Sequence, residues 1–134
     1  MTRVIAAPEE ATVKAFIVRE RRERFLELLP NPKHRHKITN SLAHPNLAWF
    51  DSRYVQLIPP PQSHAVDIAK LLRAKGAGRS CWIISEDKRF DAREMELETV
   101  LLEIVGYGMG TIVCCIPGKL AFVESEGGRF ILEK

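Results

Sequence analysis

Apolar residues recur along the second half of this chain with two different periods, and the changes between them mark its elements. Ala65, Ile68, Ala69 and Leu72 fall at i, i+3, i+4 and i+7, a spacing that gathers apolar groups on one side of a helix. A helix is therefore predicted over 64–75, with Ser63 as its N-cap and Gly76 and Gly78 ending it. Cys81 to Ile84 is a short unbroken apolar run between turn residues, the mark of a buried strand. Asp91 and Glu94 then have capping-box spacing, and Leu97, Val100, Leu101 and Ile104 continue as a helical stripe that Gly106 closes. Segments 111–116 and 119–124 read as a hairpin about Pro117-Gly118, which suits the central positions of a type II turn. A second turn, Ser125-Glu126-Gly127-Gly128, leads to a last strand over 129–133, short and charged at both ends as a managed sheet edge is.

The first half is less regular. Pro8, Glu9 and Glu10 interrupt any pattern, so residues 1–11 are expected to form a loose arm. Val13 to Val18, with Lys14 as its only polar residue, reads as a strand, and Phe25, Leu28 and Leu29 give the helix 19–29 its apolar stripe. Glu20 and Arg24 have ion-pair spacing on that helix, and Pro30 and Pro32 stop it. A short helix within 33–44 is anchored by Ile38 and Leu42. Leu47, Trp49 and Phe50 are expected to cover one edge of the core, and 53–58 reads as a strand before the stiff Pro59-Pro60-Pro61 joint.

These elements give an α/β fold in the mixed, α+β sense. The strand at 81–85, the following helix and the strand at 111–116 are expected to form a right-handed parallel βαβ unit. The C-terminal antiparallel meander extends the sheet, with helices packed on it. At 134 residues the chain reads as a single domain, because neither side of the proline joint is long enough to bury a comfortable core of its own.

Charge changes this picture only in the N-terminal half. The formal net charge is +3, yet residues 1–60 hold ten Lys and Arg against six Asp and Glu, while 61–134 hold ten against eleven. The most basic window is 33–44, and the preceding helix adds arginines, so Arg21, Arg22, Arg35 and Lys37 are candidate nucleic-acid contacts. Glu20, Glu23 and Glu27 balance part of that charge.

Candidate chemistry is sparse. Cys81, Cys114 and Cys115 cannot form an even disulfide framework, and the adjacent pair should point to opposite faces of a strand. They read as reduced, buried thiols of a cytoplasmic protein. On a helix, His34 and His36 lie on different faces, which is poor geometry for a shared metal. Gly106-Tyr107-Gly108-Met109-Gly110 follows a helix and opens a strand, the reverse of a dinucleotide loop, and reads as a flexible connection with exposed amides. Glu86, Asp87, Lys88 and Asp91 crowd one connection after the central strand, where ligands collect in parallel α/β folds. Glu86 with Lys88 is the arrangement of a metal-dependent nuclease if a further carboxylate, Asp51 or Asp91, joins it.

No catalytic or cofactor motif is complete, so no cofactor and no resident metal are assigned. No apolar run is long enough for a membrane span. The leading expectation is a small cytoplasmic, non-catalytic binding or regulatory module for a macromolecule, nucleic acid first. A metal-dependent phosphodiesterase or nuclease built on 86–91 is one alternative. Another is a self-associating structural protein, a homodimer formed through the last strand or the Trp49-Phe50 segment.

Overall fold

In the computed structural model, residues 4–45, 47–59 and 64–134 are described. The helices are α1 (Ala7–Phe16), α2 (Arg19–Leu28), α3 (His36–Thr39), which runs on as a 3-10 turn over Asn40–Ala43, α4 (Ala65–Ala74) and α5 (Leu97–Ile104). The strands are β1 (Val55–Leu57), β2 (Ser80–Ser85), β3 (Arg93–Glu96), β4 (Thr111–Ile116), β5 (Leu120–Ser125) and β6 (Gly128–Glu133). They form one six-stranded sheet in the order β1-β6-β5-β4-β2-β3, with every neighbouring pair antiparallel.

The sheet is buried on both faces, and side chains alternate between two apolar layers as the strand period of two requires. Ile112 and Cys114 of β4, Ala121 and Val123 of β5, and Phe130 and Leu132 of β6 pack under the N-terminal helices with Val13, Phe16, Phe25, Leu29, Ile38 and Leu42. Val113 and Cys115, Leu120 and Phe122, and Ile131 face the other way, against Ile68 and Leu72 of α4 and Leu97, Val100, Leu101 and Ile104 of α5. Cys114 and Cys115 thus lie on opposite faces, as their adjacency predicted.

The α+β class, the C-terminal meander and the helices packed on the sheet are as expected, but the parallel βαβ unit is not. Strand β2 does lie beside β4, with Ile83 opposite Val113, yet the two run antiparallel. The expected helix start at Asp91 is instead a turn and a strand. Ala92 takes a left-handed φ of 56° and donates its N–H to Ile83 O at 2.8 Å, and β3 folds back on β2. Helix α5 begins only at Leu97. The crossover through α5 therefore joins β3 to β4, the two strands flanking β2.

Three further expectations are corrected. The strand expected over 13–18 lies mostly in α1, whose first turn begins inside the expected loose arm: Pro8 suits a helix start, and Glu9 and Thr12 are buried. The last strand is not an edge, because β1 pairs along its outer side. Phe50 is 2% exposed and packs edge-on against Phe130 with ring centres 5.2 Å apart. The last strand therefore offers no open edge for a dimer, and in the Trp49-Phe50 segment Phe50 is closed off while Trp49 stays half-buried. Ser63 and most of the proline joint lie outside the described residues.

At Gly110 the backbone before β4 runs close against that of Leu42 and Ala43. A methyl group there would meet the backbone of Leu42 and Ala43. We expect Gly110→Ala to destabilise the fold by about 1–3 kcal/mol or more. Gly78→Ala, with open space around it, should stay within about 0.5 kcal/mol of wild type. Urea titrations of the two variants make the comparison.

Candidate functional site

The residues singled out in the sequence separate into three environments. Arg35, expected on a basic surface, is a core ion: its side chain is 15% exposed, and those of its partners Glu9 and Asp91 are 2% and 18% exposed. All five of its N–H groups are engaged. Nη1 and Nη2 donate to Glu9 Oε1 and Oε2 at 2.7 Å each, Nε and Nη2 to Asp91 Oδ2 and Oδ1 at 2.8 and 2.9 Å, and Nη1 also to Leu29 O at 3.0 Å. Both carboxylates are gripped by two parallel bonds, the fork geometry that only arginine supplies. Burial works against the guanidinium charge, but the bonds to Glu9 and Asp91 outweigh it and raise the pKa.

The surplus negative charge has donors of its own. Trp82 Nε1 donates to Glu9 Oε2 at 2.8 Å, and the Ser85 amide donates to Asp91 Oδ1 at 2.9 Å. Glu9 also lies in the first turn of α1, where the helix dipole favours an anion. A cavity of about 260 Å³ opens beside this cluster, with Pro30, Pro32, Trp82 and Ala92 in its wall.

The acidic connection after β2 is the second environment, and each of its carboxylates has a private partner. Glu86 accepts the Gly110 amide at 2.6 Å, Asp87 pairs with Arg89 at 2.8 Å, and Asp91 belongs to Arg35. Lys88 is exposed. Asp51 sits elsewhere, paired with Arg53 at 2.6 Å, which draws its pKa down to about 2. The four carboxylates do not converge, and no group of three or more His, Cys, Asp or Glu among the described residues is placed to hold a metal.

The glycine connection is closed from inside. Glu124 of β5 has a side chain with 0% exposure; it accepts the Gly106 and Gly108 amides at 3.0 and 3.1 Å and Arg129 Nε at 2.6 Å. The three glycine amides of this loop are thus spent on Glu124 and Glu86. Glu9 and Glu124 were missed in the sequence. The available signal was a carboxylate at a core-facing position of an apolar strand, as Glu124 is within Leu-Ala-Phe-Val-Glu.

The basic surface is the third environment. Arg21 and Lys37 are exposed, whereas Arg22 is half-buried with its Nε donating to Ile17 O at 2.8 Å. On α2, Glu20, Glu23 and Glu27 share the outward stripe, with Arg21 and Arg24 on one flank and Arg19 and Arg22 on the other. The expected Glu20–Arg24 ion pair does not form among the described residues. A shallow groove of about 700 Å³ lies along the second flank. It carries Arg19, Arg22 and Arg53 together with the carboxylates of Glu20 and Asp51, the latter held by Arg53, with Phe50 in its wall and Leu47, 55% exposed, at its rim.

The thiols are sealed. Cys114 accepts the Thr12 hydroxyl at 3.2 Å, and burial pushes Cys81 and Cys114 up to about 12 and raises Cys115 as well.

Arg35→Met leaves two carboxylates facing each other in the interior and should cost about 3–5 kcal/mol in urea unfolding, with Arg35→Lys intermediate; a change under about 1 kcal/mol for Arg35→Met would contradict this account. At pH 8 a disulfide reagent should find no thiol in the native chain and all three after denaturation. Unfolded thiols ionise near 9.0 and folded ones only near 12 or above. Their contribution to stability is therefore intact below pH 9 and falls as pH climbs towards 12. Compared with family models, with curated proteins and with solved structures, the chain finds no match in any of the three.

Proposed function

We propose that this protein is a non-catalytic binding module that holds an anionic stretch of a macromolecule, nucleic acid first, along the groove between α2 and the 47–53 segment. The observation that carries the reading is how arginine is distributed between paired and unpaired states. Arg35, Arg53, Arg73, Arg79, Arg89 and Arg129 each lie within ion-pair distance of a carboxylate. Arg19, Arg21, Arg22 and Arg24, gathered on α2, have no such partner among the described residues, nor do Lys33 and Lys37 nearby; the one other described arginine without such a partner, Arg93, stands apart on β3. An unpaired guanidinium is a ready fork for phosphate, and Leu47 beside Arg19 and Arg22 adds an apolar contact.

The sealed thiols and the privately paired carboxylates of 86–91 support binding over catalysis. Three reduced thiols fit the cytoplasm, and no described helix is long and apolar enough to cross a membrane. The acidic stripe of α2 limits how many phosphates bind together, so affinity for arbitrary sequence is modest.

Fluorescence anisotropy with labelled RNA and DNA tests this. Binding at about 50 mM salt is expected, with log K falling linearly in log salt. Replacing Arg19 and Arg22 together by Gln should weaken binding at least tenfold and flatten the salt slope by about one for each phosphate no longer neutralised. Lack of retention at about 50 mM salt removes nucleic acid as the ligand.

A further inference from the structure

The face of the sheet opposite the α2 groove is covered by α4 and α5, and its outer surface holds a second concavity. Val66 and Leu102, 59% and 65% exposed, line this groove with Ala69, Lys70, Arg73 and Glu98. The two helices run antiparallel: Arg73, in the last turn of α4, pairs at 2.9 Å with Glu98, in the first turn of α5. Val66 and Leu102 therefore share one end of the groove, and the charges share the other. Along it α4 contributes the cations and α5 the anion.

We propose that a second copy of this chain occupies the groove, related by a two-fold axis lying parallel to the two helices. Such an axis sets α4 of each copy on α5 of the other at the same height. Val66 then meets Leu102 of the second copy, and Lys70 and Arg73 meet its Glu98. A two-fold axis across the helices would instead lay α4 on α4 and set Val66 against Arg73. The pattern of charge and apolar groups thus selects one isologous arrangement. Helices of ten and eight residues present a face of only about 15 by 20 Å. That is below the size of a permanent interface, so the dimer is reversible and concentration-dependent. It leaves both α2 grooves facing outward.

Sedimentation from micromolar to millimolar protein tests the arrangement. The apparent mass should rise towards twice the 15.2 kDa of one chain. Leu102→Lys, at an exposed position, should abolish the rise without changing the thermal midpoint. Lys70→Glu and Glu98→Lys should each weaken association at least tenfold, because each brings like charges together across the axis. Mixed in equal amounts they should associate again as a heterodimer. Glu98→Lys also breaks the ion pair to Arg73, so its melting curve is read alongside and a folded variant is required.

A chain that stays at its single mass throughout overturns the proposal. So does association that survives Leu102→Lys, or a charge-swapped mixture that fails to associate while wild type does. An amphipathic peptide that perturbs Val66 and Leu102 in a strictly monomeric chain would assign the groove to a foreign helix and equally overturn it.

Discussion

Arg35 joins three segments that are far apart in the chain: the first turn of α1 through Glu9, the end of α2 through Leu29 O, and the β2–β3 turn through Asp91. A buried guanidinium stands only if every donor is satisfied, since removing charge from water costs several kcal/mol per ion before any pairing. Here all five donors are met, and the two carboxylates draw further bonds from Trp82 and Ser85. The constraint runs outward from there. Glu9 must be delivered at a fixed height, which the helix starting at Ala7 does, and Asp91 must be turned inward, which the left-handed Ala92 allows by reversing the chain after it. Trp82 is held at the same point, so the central part of the sheet and its N-terminal cover are indexed to one ion.

Burial on both faces of the sheet sets what is left for recognition. With apolar layers above and below β4, β5 and β6, neither face of these three strands is open to a ligand. The sheet edges are also poor templates: β1 has three residues and runs towards prolines, and β3 is Arg-Glu-Met-Glu. What stays exposed is the outer sides of the helices, with the unpaired arginines of α2 over one sheet face and the apolar pair Val66 and Leu102 over the other.

The legible parts of the sequence were those in which one local rule dominates. The helical stripe of α4, the hairpin about Pro117-Gly118 and the helix starting at Arg19 follow from spacing and turn chemistry alone. Strand direction was not legible, because a strand covered on both faces reads as the same unbroken apolar run whether its neighbour is parallel or antiparallel. The 91–96 segment misled for a related reason: its Asp91–Glu94 spacing imitates a cap, while Asp91 answers to Arg35, 56 positions away. Glu9 was read as part of a loose arm and Arg35 as a surface charge, since nothing local distinguishes a solvated ion from one whose partner lies across the core. Arg21 and Lys37, by contrast, are where a surface reading puts them.

The long spans closed by Arg35 also fix an order of events when the chain is made. A ribosome releases Glu9 and Arg35 well before Asp91 and before any of β4, β5 and β6, the strands that α1 and α2 cover. Until those strands arrive, Val13, Phe16, Phe25 and Leu29 have nothing to rest on, and the pair Glu9–Arg35 remains in water. The N-terminal helices must wait for the C-terminal meander, so the contacts that seat them close across most of the chain's length and form late, a topology that weighs against rapid folding.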